Sequence, residues 1–233
     1  MTRVESAGPI STQTQTQTQT QAPTGGAVQT LIVPGLFGSG EGHWQRVWHE
    51  DRPQTRMLQQ ADWEHPDLET WLAALDAAVE AGGDTYIIAH SLGCLLTAHL
   101  SRRPSARNVK GAFLVAPCDL RRTEALHPGR LAFDAVPAMP LPFPSLIIGS
   151  LNDPYMTPGE LDRLKDDLEA PLHTIGAAGH INIASGYGRW AQGYTLFDAF
   201  RRDVQGRSAS ARSAHGAAAD AQPAFAGRSA AYR

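Results

Sequence analysis

The sequence has little cysteine and no long apolar run. Only two of its 233 residues are cysteines, Cys94 and Cys118, which is too few for a disulfide framework. Their spacing matches no metal-ligand pattern, so we predict two small buried side chains and no metal site. No segment reaches the roughly 18 consecutive apolar residues of a membrane-spanning helix, and the N-terminus shows no basic region followed by an apolar one. We therefore expect no membrane association and a cytoplasmic location.

Basic residues are not in excess either. The chain has 20 Lys and Arg against 23 Asp and Glu, a formal net charge of -3, and the acidic excess lies in the middle of the chain. A nucleic-acid-binding domain needs a surplus of basic side chains to neutralise phosphates. The sequence therefore predicts no nucleic-acid partner.

Both ends of the chain have few large apolar side chains. Residues 1–26 run through a Thr-Gln alternation, and residues 204–233 hold 11 alanines mixed with Ser, Arg and Gly. Segments of this composition bury too little apolar surface to offset the entropy that ordering removes. We predict a disordered arm and a disordered tail around one domain, residues 27–203. When a chain of that length folds around a single core, it buries about 70% of the surface that the unfolded chain exposes.

The middle of the chain alternates short apolar runs with longer segments of helical period. Five runs have the almost wholly apolar composition of strands covered on both faces, namely residues 28–33, 85–89, 111–115, 145–149 and, more weakly, 172–175. Four segments have the period of amphipathic helices, namely residues 68–80, 92–101, 157–168 and 190–200. This alternation predicts an α/β fold with a mostly parallel sheet and helices on both faces.

Residues 119–144 interrupt this alternation with five prolines. Proline removes a backbone donor and breaks helices, so no long regular element is expected there. One interpretation is a connecting loop with a short helix near residues 131–135. The other is a small cap over a pocket.

A serine stands where an apolar strand runs into a helix, in the sequence Ile-Ile-Ala-His-Ser-Leu-Gly of residues 87–93. This is the setting of a nucleophile elbow, a tight turn that exposes the serine hydroxyl above the sheet. The elbow needs small residues two positions before and after the serine, and here they are Ala89 and Gly93. The sequence predicts Ser91 as a nucleophile. The alternative is a serine that only caps the following helix.

Later loops carry an acid and a base that could activate this serine. A serine hydroxyl needs a general base that is held in place by an acid. His180 lies in a small-residue loop after the last predicted strand and is the predicted base. Asp153 follows the strand at 145–149, at the edge where open α/β sheets place their sites, and is the predicted acid. Asp119, after the strand at 111–115, is the rival acid.

The glycine-rich loop after the first strand, residues 34–40, matches no phosphate-binding pattern. We therefore predict no nucleotide site there. Gly35 instead allows close backbone approach to a substrate. The backbone N–H groups of Leu36 and Leu92 are the predicted donors to the negative charge that develops on a substrate carbonyl.

Three further side chains are assigned to the substrate-binding surface together with Gly35. They are His43, Trp44 and His90, of which His90 precedes the serine directly. For the aromatic side chains a place in the core is the alternative, because large rings are mostly buried.

These motifs together resemble those of the small serine hydrolases typified by retinoblastoma-binding protein 9 and the bacterial YdeN proteins. The matching blocks run in order along residues 28–200: Val-Pro-Gly at 33–35, His-Trp-Gln at 43–45, His-Ser-Leu-Gly at 90–93, Leu-Pro-Phe-Pro-Ser at 141–145, Asn-Asp-Pro-Tyr at 152–155 and Gly-His-Ile-Asn at 179–182. The resemblance implies a compact α/β-hydrolase fold with little or no lid and no metal or cofactor. It also implies a catalytic triad of Ser91, Asp153 and His180.

Residues and resemblance together predict a serine hydrolase that cleaves a small-molecule ester, as carboxylesterases do. A peptidase or amidase would use the same triad, so that alternative stays open. A protein-interaction module on a hydrolase scaffold also stays open, because a fold does not fix a function. The two polar ends of the chain are its main support in the sequence.

Overall fold

The computed structural model describes residues 28–136 and 138–219, with side chains as far as residue 210. Its strands form one sheet and are β1 Gln29–Val33, β2 Thr55–Met57, β3 Thr85–His90, β4 Val109–Val115, β5 Ser145–Gly149 and β6 Leu172–Thr174. Its α-helices are α1 Trp44–Asp51, α2 Leu68–Gly82, α3 Leu92–Leu100, α4 Leu120–Leu126, α5 Pro158–Asp167 and α6 Ala191–Ala219. The six strands are all parallel, in the order β2-β1-β3-β4-β5-β6. The predicted α/β fold is confirmed.

Alternate residues of each central strand face two separate apolar layers. In β4, Leu114 joins the layer that contains α2 and α3, whereas Phe113 joins the layer that contains α1 and α6. Side chains of a strand point alternately to its two faces, so a strand that is apolar at every position must be covered on both. The helices therefore lie on both faces of the sheet, as the sequence predicts.

The sheet order also places the site. From β1 the chain moves outward to β2 and then returns to the other side of β1 to form β3. The carboxyl ends of β1 and β3 therefore border the point where the strand order reverses, which is where open α/β sheets bind ligands. The loop that contains Gly35 and the turn that contains Ser91 start at these two strand ends.

The proline-rich segment differs from the prediction. It contains α4, but residues 131–135 form no helix. Ala132 is instead held extended against the chain before α2, because it donates to the carbonyl of Pro66 and accepts from the N–H of Leu68, with N···O distances of 3.0 and 2.9 Å. The predicted short helix is wrong because these bonds to a distant segment replace local helical ones.

The domain does not end at residue 203. Helix α6 continues to Ala219, and Val204 is 4% exposed and packs in the same apolar layer as Phe197 and Phe200. The spacing of these residues, i, i+3 and i+7, continues one helical stripe past the predicted boundary. A disordered tail that begins at 204 is therefore wrong. Residues 1–26 and 220–233 lie outside the described residues.

Candidate active site

Ser91 occupies a strained turn between β3 and α3. Its φ of 54° and ψ of -124° are unusual for a residue with a side chain, and such strain occurs mostly at functional sites. Gly93 makes the turn possible, since a Cβ at that position would lie 2.5 Å from the carbonyl oxygen of Val33. The Ser91 side chain makes no capping hydrogen bond to α3. The alternative that this serine only caps the helix is therefore wrong.

Three side chains from three loops form one hydrogen-bonded chain. Nε2 of His180 lies 2.8 Å from Oγ of Ser91, and Nδ1 of His180 lies 2.8 and 3.0 Å from the two carboxylate oxygens of Asp153. A carboxylate accepts, so Nδ1 carries the proton and Nε2 is free to accept from the serine hydroxyl. The side chains of His180 and Asp153 are only 7% and 2% exposed. The predicted trio is thus brought together in the geometry that nucleophile activation needs.

Asp119, the rival acid, is placed elsewhere. Its carboxylate accepts a hydrogen bond from the N–H of Arg122 at 3.0 Å and so caps the start of α4. An aspartate in this position satisfies a backbone donor that the first turn of a helix leaves free. The structure therefore assigns the bond to His180 to Asp153 and the helix cap to Asp119.

The loops that carry the acid and the base are tied to each other. The side-chain oxygen of Asn152 accepts from the N–H of Gly179 at 2.7 Å and from the hydroxyl of Ser150 at 3.0 Å. The same hydroxyl oxygen accepts from the N–H of Ala178 at 3.0 Å. Sequence reasoning missed this role of Ser150 and Asn152, although both lie within three residues of the predicted acid. These bonds hold the histidine loop in a fixed position relative to Asp153.

Two further histidines lie behind His180. Nε2 of His90 donates to the carbonyl oxygen of His180 at 2.9 Å, and the rings of His43 and His90 are 5.0 Å apart. Burial, and then repulsion from His180, lowers the pKa of His43 to about 4. The same causes lower the pKa of His90 well below its usual value. Both rings are therefore uncharged at neutral pH and add no positive charge beside His180.

Trp44 does not line the site, contrary to the prediction. It is 1% exposed, and its indole N–H donates to the carbonyl of Ile181 at 2.8 Å. The ring is large and apolar, so it packs in the core, while its one polar atom anchors the loop next to His180. Trp44 therefore positions that loop from behind, and the predicted substrate contact is wrong.

The two predicted oxyanion donors lie beside the elbow. A Cβ on Gly35 would be 2.8 Å from Cβ of Ser91 and 3.0 Å from the backbone nitrogen of Leu92, so only glycine permits this approach. Among the described residues none accepts a hydrogen bond from the N–H of Leu36 or Leu92. Both N–H groups are therefore unpaired within the described part of the chain, and Leu92 is fully buried.

A cavity of about 290 Å³ opens onto Ser91 and His180. Among the predicted residues, Leu36, His43 and His90 also line it. Gly35, Trp44 and Leu92 do not line it. The other lining residues are Phe37, Gly38, Gly40, Thr123, His127, Tyr155, Asn182, Ile183 and Ala184. Two of these, Thr123 and His127, come from the proline-rich segment and form one side of the cavity.

Within the described ranges no cluster of three metal-ligating side chains occurs, and no helix is long and apolar enough to cross a membrane.

An open parallel sheet with a serine on the strained turn between β3 and α3 defines the α/β-hydrolase fold. The family model described as "Serine hydrolase" matches residues 30–199. The chain belongs to this serine hydrolase family.

Solved structures agree with this assignment. One described as a YdeN-like hydrolase from Pectobacterium atrosepticum is 29% identical, with a TM-score of 0.67 over 76% of this chain and 92% of that one. The ydeN gene product of Bacillus subtilis is 17% identical, with a TM-score of 0.58 over 76% of this chain and 100% of that one. A thermophilic esterase from Thermogutta terrifontis is 16% identical, with a TM-score of 0.55 over 78% and 92%. The resemblance to the YdeN group is confirmed. A search of curated proteins finds no match.

Proposed function

We propose that this hydrolase cleaves small-molecule esters through an acyl-enzyme on Ser91. The observation that carries the proposal is the continuous hydrogen-bonded chain from Ser91 through His180 to Asp153, with both key contacts at 2.8 Å. A serine hydroxyl is a weak nucleophile, and a buried imidazole held by a carboxylate is the arrangement that activates it.

In the proposed mechanism, Oγ of Ser91 attacks the carbonyl carbon of the ester while Nε2 of His180 takes its proton. The protonated imidazole then gives this proton to the departing alcohol, which leaves the acyl group on Ser91. Water repeats the sequence, since His180 takes its proton and returns one to Ser91 as the acid is released. Asp153 holds the imidazole in this tautomer and stabilises the positive charge that forms on it.

The negative charge of each tetrahedral intermediate falls on the former carbonyl oxygen. The free N–H groups of Leu36 and Leu92 lie beside Ser91 and are suited to receive it. Leu92 is the first residue of α3, so the positive end of the helix dipole adds to this effect. Donors fixed in advance stabilise the charge at no cost in reorganisation, and one such donor contributes about 100-fold or more to the rate.

A neutral ester fits a cavity that is lined by no Asp, Glu, Lys or Arg side chain, and the chain shares its fold with a known esterase. An amide needs fuller protonation of its leaving group than an ester does. Ser91, His180 and Asp153 would hydrolyse an amide by the same steps. The interaction-module alternative rested on the two polar ends, of which residues 1–27 and 220–233 lie outside the described residues. A cytoplasmic location stays a prediction.

The test is hydrolysis of p-nitrophenyl butyrate by the wild-type chain, Ser91→Ala and the matched control Ser101→Ala. Ser101 ends α3 at the end opposite to Ser91. We expect Ser91→Ala to lower kcat by about four orders of magnitude or more, and Ser101→Ala to stay within about threefold of wild type. Equal activity of the wild type and Ser91→Ala would refute the proposal. The p-nitroanilide of the same acid, run in parallel, separates esterase from amidase activity.

A further inference from the structure

Phe37 has a backbone conformation that a phenylalanine rarely adopts. The N–H of Gly38 donates to the carbonyl of Gly35 at 2.9 Å, which closes a tight turn with Phe37 at its third position. The φ of Phe37 is 66°, and Leu36 before it has no positive φ. A turn of this kind favours glycine at the third position, because a side chain there is strained. The N–H of Phe37 donates to the carbonyl of Trp63 at 2.8 Å and holds the residue in this conformation.

This strained turn does not bury the phenylalanine ring. Phe37 is 48% exposed, and it packs in neither of the two apolar layers of the sheet. The ring of His127 lies 5.1 Å away and nearly perpendicular, and the guanidinium of Arg130 lies 5.4 Å from the ring centre. These contacts orient the ring but leave almost half of the residue exposed. The fold therefore bears a backbone cost for a ring that adds little to the core.

The exposed ring borders the reaction site. Phe37 lines the cavity that opens onto Ser91 and His180. A Cβ on Gly35, two residues before Phe37, would lie 2.8 Å from Cβ of Ser91, so the turn lies beside the nucleophile. Ile183, three residues after His180, is exposed as well and lines the same cavity. Two separate loops thus each add an exposed apolar side chain to the cavity, and apolar surface of this kind is typical of ligand-binding sites.

We propose that Phe37 is a specificity-determining residue, whose exposed ring binds an apolar group of the ester while the carbonyl of that ester reacts at Ser91. The proposal rests on the proposed hydrolysis at Ser91. An apolar group that covers the ring loses contact with water, which favours esters with a chain of several carbons or an aromatic ring over small ones. The group belongs to the acid or to the alcohol of the ester. Ile183 adds a second apolar contact from the other loop.

The experiment measures kcat/KM on two pairs of esters. p-Nitrophenyl hexanoate against p-nitrophenyl acetate varies the acid, and benzyl acetate against methyl acetate varies the alcohol. In the wild type we expect the larger member of at least one pair to be the better substrate by about 10-fold or more. Phe37→Gly should lower that preference about 10-fold, and Ile183→Ser should lower it about threefold. The pair that responds shows which part of the ester lies on the ring.

Val28→Ala is the matched control. Val28 is exposed to nearly the same degree as Phe37, but it directly precedes β1 and so lies at the amino-terminal ends of the strands, away from the site. Both substrate ratios of this variant should stay within about twofold of wild type. Melting curves and fluorophosphonate labelling show whether each variant is folded and reactive.

Melting temperatures of Phe37→Gly and Phe37→Ala test the strain separately. Both variants lose the ring and its contacts with His127 and Arg130, but only glycine adopts a positive φ without strain. Phe37→Gly should therefore melt about 2–4 °C above Phe37→Ala. Equal or reversed melting temperatures would overturn the inference, because Phe37 would then bear no backbone cost.

The substrate ratios can overturn the inference as well. Unchanged ratios in a folded, labelled Phe37→Gly protein, or a wild type that prefers neither larger ester, remove the role of Phe37 while hydrolysis at Ser91 stands. An equal loss on all four esters has the same consequence, because Phe37 would then act only by holding Leu36 beside it. Hydrolysis of p-nitrophenyl acetate that survives Ser91→Ala overturns this inference and the proposed function together.

Discussion

Two loops at the carboxyl edge of the sheet each carry an aspartate, and only one of them reaches the histidine. The loop after β4 ends in Asp119 and the loop after β5 contains Asp153, and they are bonded to each other through the N–H of Asp119 and the carbonyl of Tyr155 at 2.8 Å. Asp119 is half-buried and caps a helix, whereas Asp153 is 7% exposed and bonds His180. A position just after a strand therefore makes an aspartate a candidate acid, and the groups that its carboxylate contacts determine its role.

The largest difference between the two loops should appear in turnover. Asp153→Asn keeps the shape of the side chain but removes the charge that fixes the His180 tautomer, so we expect kcat to fall about 10⁴-fold. The matched variant Asp119→Asn should stay within about threefold of wild type, since an asparagine caps a helix as well. Steady-state kinetics on p-nitrophenyl butyrate measures both. A larger loss in Asp119→Asn would reverse the assignment of the acid.

A smaller loss of activity is expected when the link between the acid and base loops is cut. Asn152→Ala removes the acceptor of the Gly179 N–H and lets the histidine loop shift. Small displacements of a catalytic group are costly, so we expect kcat/KM to fall about 10-fold to 100-fold. The control is Asn108→Ala. Asn108 directly precedes β4 and so lies at the amino-terminal ends of the strands, away from the site. Equal activity of both variants would show that the link does not position His180.

The neutral histidines beside the site should make stability depend on pH. The pKa of His43 is about 4 in the folded chain and about 6.5 when exposed. The unfolded chain therefore binds a proton first, so stability is complete above pH 6.5 and is lost as the pH falls toward 4. Between pH 8 and 5 this contribution is about 2 kcal/mol.

Urea unfolding of His43→Asn at the two pH values checks this contribution. Asparagine also caps helices and does not titrate, so the variant should lose about 2 kcal/mol less than the wild type between pH 8 and 5. Identical losses in the two proteins would mean that His43 titrates normally in the folded chain.

The smallest effect concerns the capping aspartate itself. Asp119→Ala leaves a backbone donor of α4 without its partner, which costs about 1 kcal/mol of unfolding free energy. Activity on p-nitrophenyl butyrate should change little. Denaturant unfolding beside Asp119→Asn isolates the cap. A destabilisation equal in both variants would point to a role of the charge instead.

Most strands and the reacting residues could be predicted because each is encoded locally. Almost wholly apolar runs predict β3, β4 and β5, and the small residues around Ser91 predict the elbow. Strand β2 was missed, since its three residues, Thr55–Met57, include two polar side chains at the edge of the sheet. Helix α1 was missed as well, because its residues, Trp44–Asp51, are mostly polar or aromatic and its packing partner is distant in sequence.

The errors share a physical cause. The absent helix at 131–135, the extension of α6 to Ala219 and the buried place of Trp44 all depend on partners far along the chain. Ala132 bonds the segment before α2, and Trp44 donates to the loop of His180. Sequence patterns report local preference, and these tertiary contacts override it.

Covalent labelling tests the central claim most directly. The protein is treated with a fluorophosphonate, digested, and analysed by mass spectrometry to locate the adduct. We predict one adduct per chain, on the peptide that contains Ser91, and its absence in the His180→Ala variant because the serine is then not activated. An adduct on a different serine, or no adduct on a folded protein that still hydrolyses esters, would contradict the account.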